Sequence, residues 1–353
     1  MSEGTMRLAL GDTHVAFGAR MDARRGWEVP LTYGDPGLEY AALRESVVAF
    51  DASWRSRVMV TGGDAVEVLR GALAGHPEYL EEGRAGRFAM LDEAGDLADL
   101  VLVARTGGAA YLVSGEPDRR GELLRRLEAA VGEGYEVRVE DRTAMTCALV
   151  LAGPAAAART AEFVAEALPG RLAPLHCAAF EFHGFRALAI RTSDTGEDGF
   201  VLVLAPVVAS HLLGTLRSAG IALAGWEALE SARVEACIPA WEPDLLPGLS
   251  PAEADLDVLL GIAGGREGRI LAAFLLEGPP VSVGTPVRGS DGRQVGEVRS
   301  CVFAMGLNAA AGLAIIDAAA AFPGAELDAG GSRLLVAAKP LYRRRMEGTA
   351  QRW

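Results

Sequence analysis

The sequence has little cysteine, and its spacing suits neither a metal site nor a disulfide framework. Its 353 residues include 4 cysteines, Cys147, Cys177, Cys237 and Cys301, which lie far from one another. Zinc sites use closely spaced Cys and His pairs, and disulfide-stapled domains are short and dense in cysteine. The sequence therefore predicts reduced thiols and no metal site.

Basic residues are also scarce, since 34 Lys and Arg face 47 Asp and Glu and the formal net charge is −13. Nucleic-acid binding depends on clustered positive charge, so this balance disfavours a nucleic-acid partner. The run Arg343-Arg344-Arg345, beside Glu347, is interpreted as a solvated tail. We expect a small-molecule partner, and nothing in the sequence indicates a protein partner.

Long apolar runs are missing as well. The longest uncharged run, Cys301 to Ile316, is interrupted by Gly306, Asn308 and Gly312 and is too short to span a bilayer. It predicts a strand, a turn and a second strand. The first residues lack the basic and apolar regions of a secretory signal, so we expect a cytoplasmic location without membrane attachment.

What the chain does contain is 50% apolar residues in short periodic runs, enough for more than one core. Their spacing predicts a strand at 58–60, a helix at 64–73 behind a capping Asp64, a strand at 88–91, a hairpin at 100–113 and a helix from Pro117. A similar series follows: a strand at 146–151, an Ala-rich helix at 154–168, two strands around His183-Gly184 and a helix at 206–218. Two such series in tandem predict two related α+β lobes.

The C-terminal part has a different pattern. Short apolar runs separated by Gly, Pro and Asp predict a small antiparallel β-barrel, with strands at 270–276, 295–303, 312–316 and 333–336. The proline-rich stretch 238–248 predicts a rigid loop, and 261–268 predicts the linker to the barrel.

The most informative stretch runs from Arg191 to Phe200 and reads RTSDTGEDGF. It places an acidic turn framed by glycines between alternating apolar positions, so the pattern alone predicts a tight hairpin. The stretch also resembles S-R-T-G-Y-T-G-E-D-G-F of the glycine-cleavage T-protein (aminomethyltransferase) family. Further similar motifs occur in family order over nearly the whole chain, at 14–21, 26–30, 42–53, 291–298 and 339–342.

The resemblance implies the α+β, three-domain cloverleaf of the aminomethyltransferase type. Two related α+β lobes and a C-terminal small antiparallel β-barrel would surround a central channel for tetrahydrofolate. The implied domains are an aminomethyltransferase-like folate-binding region at 1–262, with 55–140 as an inserted lobe, and the barrel domain at 267–346.

The same resemblance singles out one acidic residue. The family's G-G-x-x-D-D-L-I-V element corresponds to Gly95–Val103, so Asp99 takes the position of the functional carboxylate. A carboxylate at the start of an apolar strand can accept hydrogen bonds from a pterin or polarise the group that reacts at the folate. Asp99 is predicted to be the catalytic residue, and an exposed Asp that caps a turn is the alternative.

The predicted cofactor-binding residues are Arg55, Ser114, Asp194, Val201, Glu235 and Trp241. Most of them depart from the family pattern. Asp194 replaces a Tyr, Ser114 an Asn, and Val201 a Glu that reads the donor edge of the pterin. A charge-assisted contact is worth roughly 1.5–3 kcal/mol, so the pterin amines need another acceptor.

Further departures predict a rebuilt channel. Trp54-Arg55 replaces His-Met, Trp241 replaces a Tyr, and Leu229 replaces an Arg that faces the reaction centre. Arg55 and Trp241 are predicted to supply an ionic clamp and a stacking face for a different ligand. The alternatives are an exposed Arg and a core-packed Trp.

These features favour a tetrahydrofolate-dependent one-carbon transferase or demethylase that acts on a small molecule other than the usual lipoyl-bound aminomethyl group. The expected cofactor is tetrahydrofolate or its 5,10-methylene or 5-methyl form. One alternative is the glycine-cleavage aminomethyltransferase itself. Another is a folate-binding accessory protein like the relatives that assist iron–sulfur cluster assembly, although their K-G-C-Y-x-G-Q element has no counterpart between Trp241 and Gly268.

Overall fold

The computed structural model describes residues 5–245, 247–262 and 268–342. Most of the predicted linker at 261–268 and the arginine run at 343–345 lie outside the described residues. The chain forms two compact units. The first comprises Met1–Met90, Asp99–Ser193 and Glu197–Ala228, and the second comprises Leu91–Ala98, Asp194–Gly196 and Leu229–Trp353.

Strands and helices are mixed along the described chain. The strands are β1 (Met6–Arg7), β2 (Arg20–Arg24), β3 (Trp27–Thr32), β4 (Val48–Asp51), β5 (Val58–Thr61), β6 (Ala85–Leu91), β7 (Leu97–Gly107), β8 (Ala110–Ser114), β9 (Arg138–Asp141), β10 (Cys147–Ala152), β11 (Cys177–Phe182), β12 (Phe185–Arg191), β13 (Gly199–Leu204), β14 (Ala222–Leu223), β15 (Arg269–Leu276), β16 (Pro286–Arg288), β17 (Gln294–Ala304), β18 (Ala309–Asp317), β19 (Glu326–Ala329) and β20 (Ser332–Ala337). The helices are α1 (Gly11–Ala16), α2 (Pro36–Glu45), α3 (Ala65–Ala72), α4 (Arg120–Ala129), α5 (Ala156–Phe163), α6 (Leu168–Arg171), α7 (Pro206–Ser218), α8 (Trp226–Glu235), α9 (Trp241–Asp244) and α10 (Asp257–Leu260).

Two of the sheets share one topology. The strand order is β6-β7-β8-β5-β9 in the five-stranded sheet and β11-β12-β13-β10-β4-β14 in the six-stranded sheet. In each, three consecutive strands form a meander, and the strand that precedes them in the chain lies beside the third. The predicted pair of related α+β lobes is therefore confirmed.

The two sheets contact each other through a small apolar cluster. Ala104 and Leu112 of the five-stranded sheet pack against Leu188 and Ile190 of the six-stranded sheet. The opposite face of the six-stranded sheet packs against α7, whose Leu212 is buried in the largest cluster of the first unit. Both faces of this sheet are thus covered, which explains its nearly continuous apolar strands.

The C-terminal strands close into an antiparallel barrel, as the sequence predicts, and their order is β15-β18-β17-β16-β19-β20. The strands β16 and β19 are not among the four that the sequence predicts. Its interior is apolar and includes Phe274, Val298 and Ile316. The uncharged run at 301–316 forms a hairpin, because Ala304 pairs with Ala309 across its turn. In the described residues no helix is long and apolar enough to cross a membrane.

The structure corrects three local predictions. The helix predicted at 154–168 is two short helices, α5 and α6, and Pro169 occupies the first turn of α6, where a proline is tolerated. The carboxylate of Asp64 does not cap α3 but accepts a hydrogen bond from Glu136 N, at 2.8 Å. The proline-rich stretch at 238–248 contains the short helix α9, where Asp244 Oδ2 accepts a hydrogen bond from Ala240 N at 3.0 Å.

The signature stretch at 191–200 forms a hairpin, but a wide one. Arg191 pairs with Phe200 across β12 and β13, and residues 192–198 form the loop between the two strands, so the predicted tight turn is wrong. The loop is closed at its base by a bidentate ion pair, in which Arg191 donates to the two carboxylate oxygens of Asp198 at 2.9 and 2.7 Å. A Cβ on Gly199 would lie 2.6 Å from Ser193 Cβ, so close approach of the backbone requires glycine there.

The packing around Gly199 predicts that Gly199→Ala lowers the free energy of unfolding by about 1–3 kcal/mol, because the added methyl overpacks the hairpin. Urea denaturation measures this. Gly121→Ala is the matched control, since nothing lies within 4 Å of its Cβ position in α4 and Ala stabilises a helix by about 0.5–1 kcal/mol relative to Gly. Equal effects of the two substitutions would contradict the prediction.

Candidate functional site

The loop that leaves β4 is held by a buried arginine. Arg57 is 1% exposed, and its guanidinium donates to the carbonyl oxygens of Ser53 at 3.1 Å and Arg55 at 2.5 Å. It also donates to the carbonyl oxygens of Thr143 at 2.6 Å and Thr146 at 2.9 Å. Burial lowers the pKa of Arg57, although the charge of Asp51 opposes this. The guanidinium thus fixes the backbone on both sides of Trp54 and Arg55.

Next to Arg57, the same loop is joined to the end of β8. Gly115 N donates to Ser56 Oγ at 3.0 Å, and Ser56 N donates to Gly115 O at 3.2 Å. A Cβ on Gly115 would lie 3.2 Å from Asp99 Oδ2 and 3.0 Å from Leu123 Cδ2. The chain passes close to the Asp99 carboxyl here, with little room for a larger residue.

Asp99 is the third residue of β7, and its side chain is completely buried. Its Oδ1 accepts a hydrogen bond from Leu100 N at 2.8 Å, while its buried Oδ2 has no hydrogen-bond partner among the described residues. Burial raises the pKa of Asp99 well above its usual range, and the nearby charge of Glu116 raises it further. The alternative of an exposed, turn-capping Asp is therefore wrong.

Glu116, which follows Gly115, is the centre of an ionic cluster. It is 5% exposed, and its two oxygens accept hydrogen bonds from Arg55 Nη1 and Arg25 Nη1, each at 2.6 Å. Arg25 also donates to Asp118 Oδ1 at 2.5 Å. Burial alone would lower the pKa of Arg25, but the charges of Glu116 and Asp118 outweigh it and raise that pKa overall.

Arg25 reaches this cluster from a two-residue hairpin turn. Arg24 pairs with Trp27 across β2 and β3, and the turn residues Arg25 and Gly26 have φ of +49° and +78°. Both values belong to a turn that matches the twist of the strands, at a conformational cost for the non-glycine residue. Local sequence patterns do not indicate Arg25, Glu116 and Asp118, because their partners lie far away in the chain.

An aromatic group lies beside the same loop. The rings of Trp54 and Trp226 meet edge to face, with centroids 5.4 Å apart. Both are half-buried and pack against the buried cluster of Leu8, Trp27 and Val29. The loop of 52–57 therefore presents an aromatic residue and a cation side by side.

Asp99, Arg55 and Ser114 lie close together in one lobe of the first unit. Val201 also belongs to the first unit but lies apart from them. Arg55 and Ser114 are chain neighbours of the Ser56–Gly115 pair that adjoins Asp99. Val201 lies on β13 of the six-stranded sheet and packs against the apolar cluster between the sheets. Its valine side chain suits that environment.

The remaining predicted residues belong to the second unit. Glu235 is completely buried, and its carboxylate accepts hydrogen bonds from Gly306 N at 2.8 Å and Ser231 Oγ at 3.4 Å. Trp241 is 3% exposed, so most of its ring area is unavailable for stacking. Asp194 is half-buried.

The comparisons with known proteins agree with this fold. Residues 10–263 match the family described as GCVT N-terminal domain. An aminomethyltransferase of Streptomyces coelicolor is 31% identical over 96% of this chain and 98% of its own length. An aminomethyltransferase of Rubrobacter xylanophilus is 34% identical over 72% of this chain and 68% of its own length.

A solved structure supports the same conclusion about the fold. The glycine cleavage system aminomethyltransferase T from Bartonella henselae superposes with a TM-score of 0.89, at 23% identity, over 97% of this chain and 99% of its own. The predicted aminomethyltransferase type of α+β fold is confirmed, while the predicted domain boundaries and site residues stay predictions. The chain belongs to the glycine-cleavage T-protein (aminomethyltransferase) family.

Proposed function

We propose that this chain is a tetrahydrofolate-dependent aminomethyltransferase of the glycine-cleavage type. Relatives named aminomethyltransferase align over nearly its full length, which supports an enzyme that transfers an aminomethyl group. The sequence alone favours a small-molecule substrate other than the lipoyl-bound aminomethyl group. The relatives support the alternative, the glycine-cleavage reaction itself, better than that expectation.

The observation that carries the proposal is the Oδ2 atom of Asp99. It is buried, and no described residue donates to it or accepts from it. Leaving a buried polar atom unpaired costs about 1–3 kcal/mol, so such an atom suits a ligand that completes it. The ring nitrogens of a reduced pterin can form hydrogen bonds with a carboxyl group.

The protonation of Asp99 defines what this residue does. Because Oδ1 accepts from Leu100 N, a proton on the carboxyl resides on Oδ2, the atom without a partner. Tetrahydrofolate, when bound, supplies the nitrogen that receives the one-carbon unit. With its raised pKa, Asp99 keeps a proton to a higher pH than an exposed Asp does, and in this role it would orient the ligand and exchange a proton through Oδ2.

A second candidate is transfer from a small methylated amine. It is favoured by Leu229, an apolar residue at a position where the family pattern has an Arg. The loss of that charge changes what the site can recognise. The two candidates differ in the donor of the one-carbon unit, so an assay can separate them.

We expect the wild-type protein to bind tetrahydrofolate and Asp99→Asn to bind it about tenfold or more weakly, since a buried hydrogen bond is disrupted. Isothermal titration calorimetry measures both affinities, with the 5-methyl and 5,10-methylene forms for comparison. Absence of binding of all three by the wild type would overturn the proposed function. If Asp99→Asn binds tetrahydrofolate as tightly as the wild type does, Asp99 is not part of the folate site.

We expect ammonia release from an aminomethyl-loaded lipoyl carrier protein when tetrahydrofolate is present. Asp99→Asn should slow this release by about 10²–10⁴-fold, the usual contribution of a general acid or base. A small methylated amine replaces the carrier in the parallel assay. Turnover of the amine alone would reverse the order of the two candidates.

The burial of Asp99 also predicts a pH-dependent stability. In the unfolded chain an Asp has a pKa of about 3.9, and the folded pKa is higher, so the native state binds more protons between the two values. The free energy of unfolding therefore falls as pH rises from about 4 through the folded pKa. The free energy of unfolding of Asp99→Asn lacks this decrease, because an amide does not titrate. In urea denaturation the variant should therefore exceed the wild type in stability by more at pH 8 than at pH 5. An advantage that does not change with pH would contradict the prediction.

A further inference from the structure

The ionic cluster of Arg25, Arg55, Glu116 and Asp118 adjoins Asp99 but belongs to no role described so far. Glu116 is joined to Asp99 through Gly115, whose Cβ position lies 3.2 Å from Asp99 Oδ2. The backbone of Gly115 is fixed by its two hydrogen bonds with Ser56, at 3.0 and 3.2 Å. Glu116 and Asp99 are thus two buried acids held in a fixed relation.

The two acids have unequal surroundings. Glu116 accepts hydrogen bonds from two guanidinium groups, those of Arg25 and Arg55, whereas Asp99 accepts one from a backbone amide. Two buried carboxylates in one region cannot both be charged without a large energetic cost. The proton therefore belongs on the acid without a cation, which is Asp99.

Two further charges that influence the pKa of Asp99 come from the segment that leads into α4. Asp118 acts in the same direction as Glu116, and Arg119 acts in the opposite direction. Asp118 is also paired with Arg25, so it shares a cation with Glu116. Glu116 has the stronger influence on Asp99, and Asp118 has a weaker influence from a similar ion pair.

We propose that Glu116, held by Arg25 and Arg55, is a positioning residue that keeps a proton on Oδ2 of Asp99. This rests on the proposed function, in which Asp99 meets the folate. The neutral Asp99 then presents an O–H to the ligand, and Glu116 remains the charged member of the pair. The pairing also gives Arg55 a role that needs no contact with substrate.

The test measures the titration of Asp99 in the protein without folate. Carbon-13 NMR of the carboxyl groups, assigned by the signal lost in Asp99→Asn, gives the midpoint. We expect Glu116→Gln to move this midpoint to lower pH, since a negative charge is removed and two arginines lose a partner. Asp118→Asn is the matched control, because it also breaks an ion pair of Arg25, and we expect a smaller shift in the same direction.

Arg55→Met supplies a test of opposite sign. It removes a cation from Glu116 and should move the midpoint of Asp99 to higher pH, which general loosening of the lobe would not do. An unchanged midpoint in folded Glu116→Gln, or a downward shift in Arg55→Met, overturns the proposal. Should Glu116→Gln not fold, the direction of the shift in Arg55→Met decides.

Tetrahydrofolate binding separates this proposal from the proposed function. If Asp99 donates its proton to the ligand, the pH above which affinity falls should decrease in Glu116→Gln along with the NMR midpoint. An NMR shift with no folate binding by the wild type overturns the proposed function while the coupling of the two acids stands. Folate binding whose pH dependence is identical in wild type and Glu116→Gln overturns the positioning role.

Discussion

The buried guanidinium of Arg57 is the interaction on which the first unit depends. The chain leaves the six-stranded sheet after β4, builds the whole five-stranded sheet, and returns at β10. Arg57 donates to two carbonyl oxygens on the outward crossing, those of Ser53 and Arg55, and to two on the return, those of Thr143 and Thr146. A planar group with five N–H donors satisfies at one point several backbone oxygens that would otherwise be buried unpaired.

This clamp has a direct consequence for the candidate site. Because the outward crossing is fixed, Ser56 can exchange two hydrogen bonds with Gly115, and the end of β8 comes against Asp99. A buried acid with an unpartnered oxygen lowers stability, and a rigid surrounding is what allows the fold to retain it. The clamp and the acid are therefore parts of one arrangement, in which the hydrogen bonds of Arg57 hold the loop that fixes Gly115 beside Asp99.

Local sequence patterns predicted most of the fold, but they could not predict which residues distant in the chain pair with each other. Short apolar runs located β10, β13 and four of the six barrel strands, and the His183-Gly184 pair located the turn between β11 and β12, where φ is +50° and +77°. Arg25 and Glu116, in contrast, are 91 residues apart, and no periodicity connects them. Arg57 escaped prediction for a different reason, since its partners are mainly backbone carbonyls, which exist at every position.

The structure also changes the meaning of the departures from the family pattern. In the sequence they favoured a different ligand, because each new side chain could serve as a new contact. In the fold, Arg55 is paired with Glu116, Val201 lies in an apolar cluster between two sheets, and Trp241 is buried. The surroundings of each of these side chains inside the protein explain why it is charged, aliphatic or aromatic.

A substitution that is accounted for internally is not evidence for a new substrate. Arg55 is the clearest case, since a cation introduced near the buried Asp99 would favour its ionised carboxylate unless the charge of the cation were compensated. Glu116 provides that compensation and, with two cations to balance its own charge, leaves the neighbouring acid as the site of protonation. The contacts around Asp99 are thus compatible with the reaction of the aminomethyltransferase relatives, because they leave a buried carboxyl whose Oδ2 has no hydrogen-bond partner among the described residues.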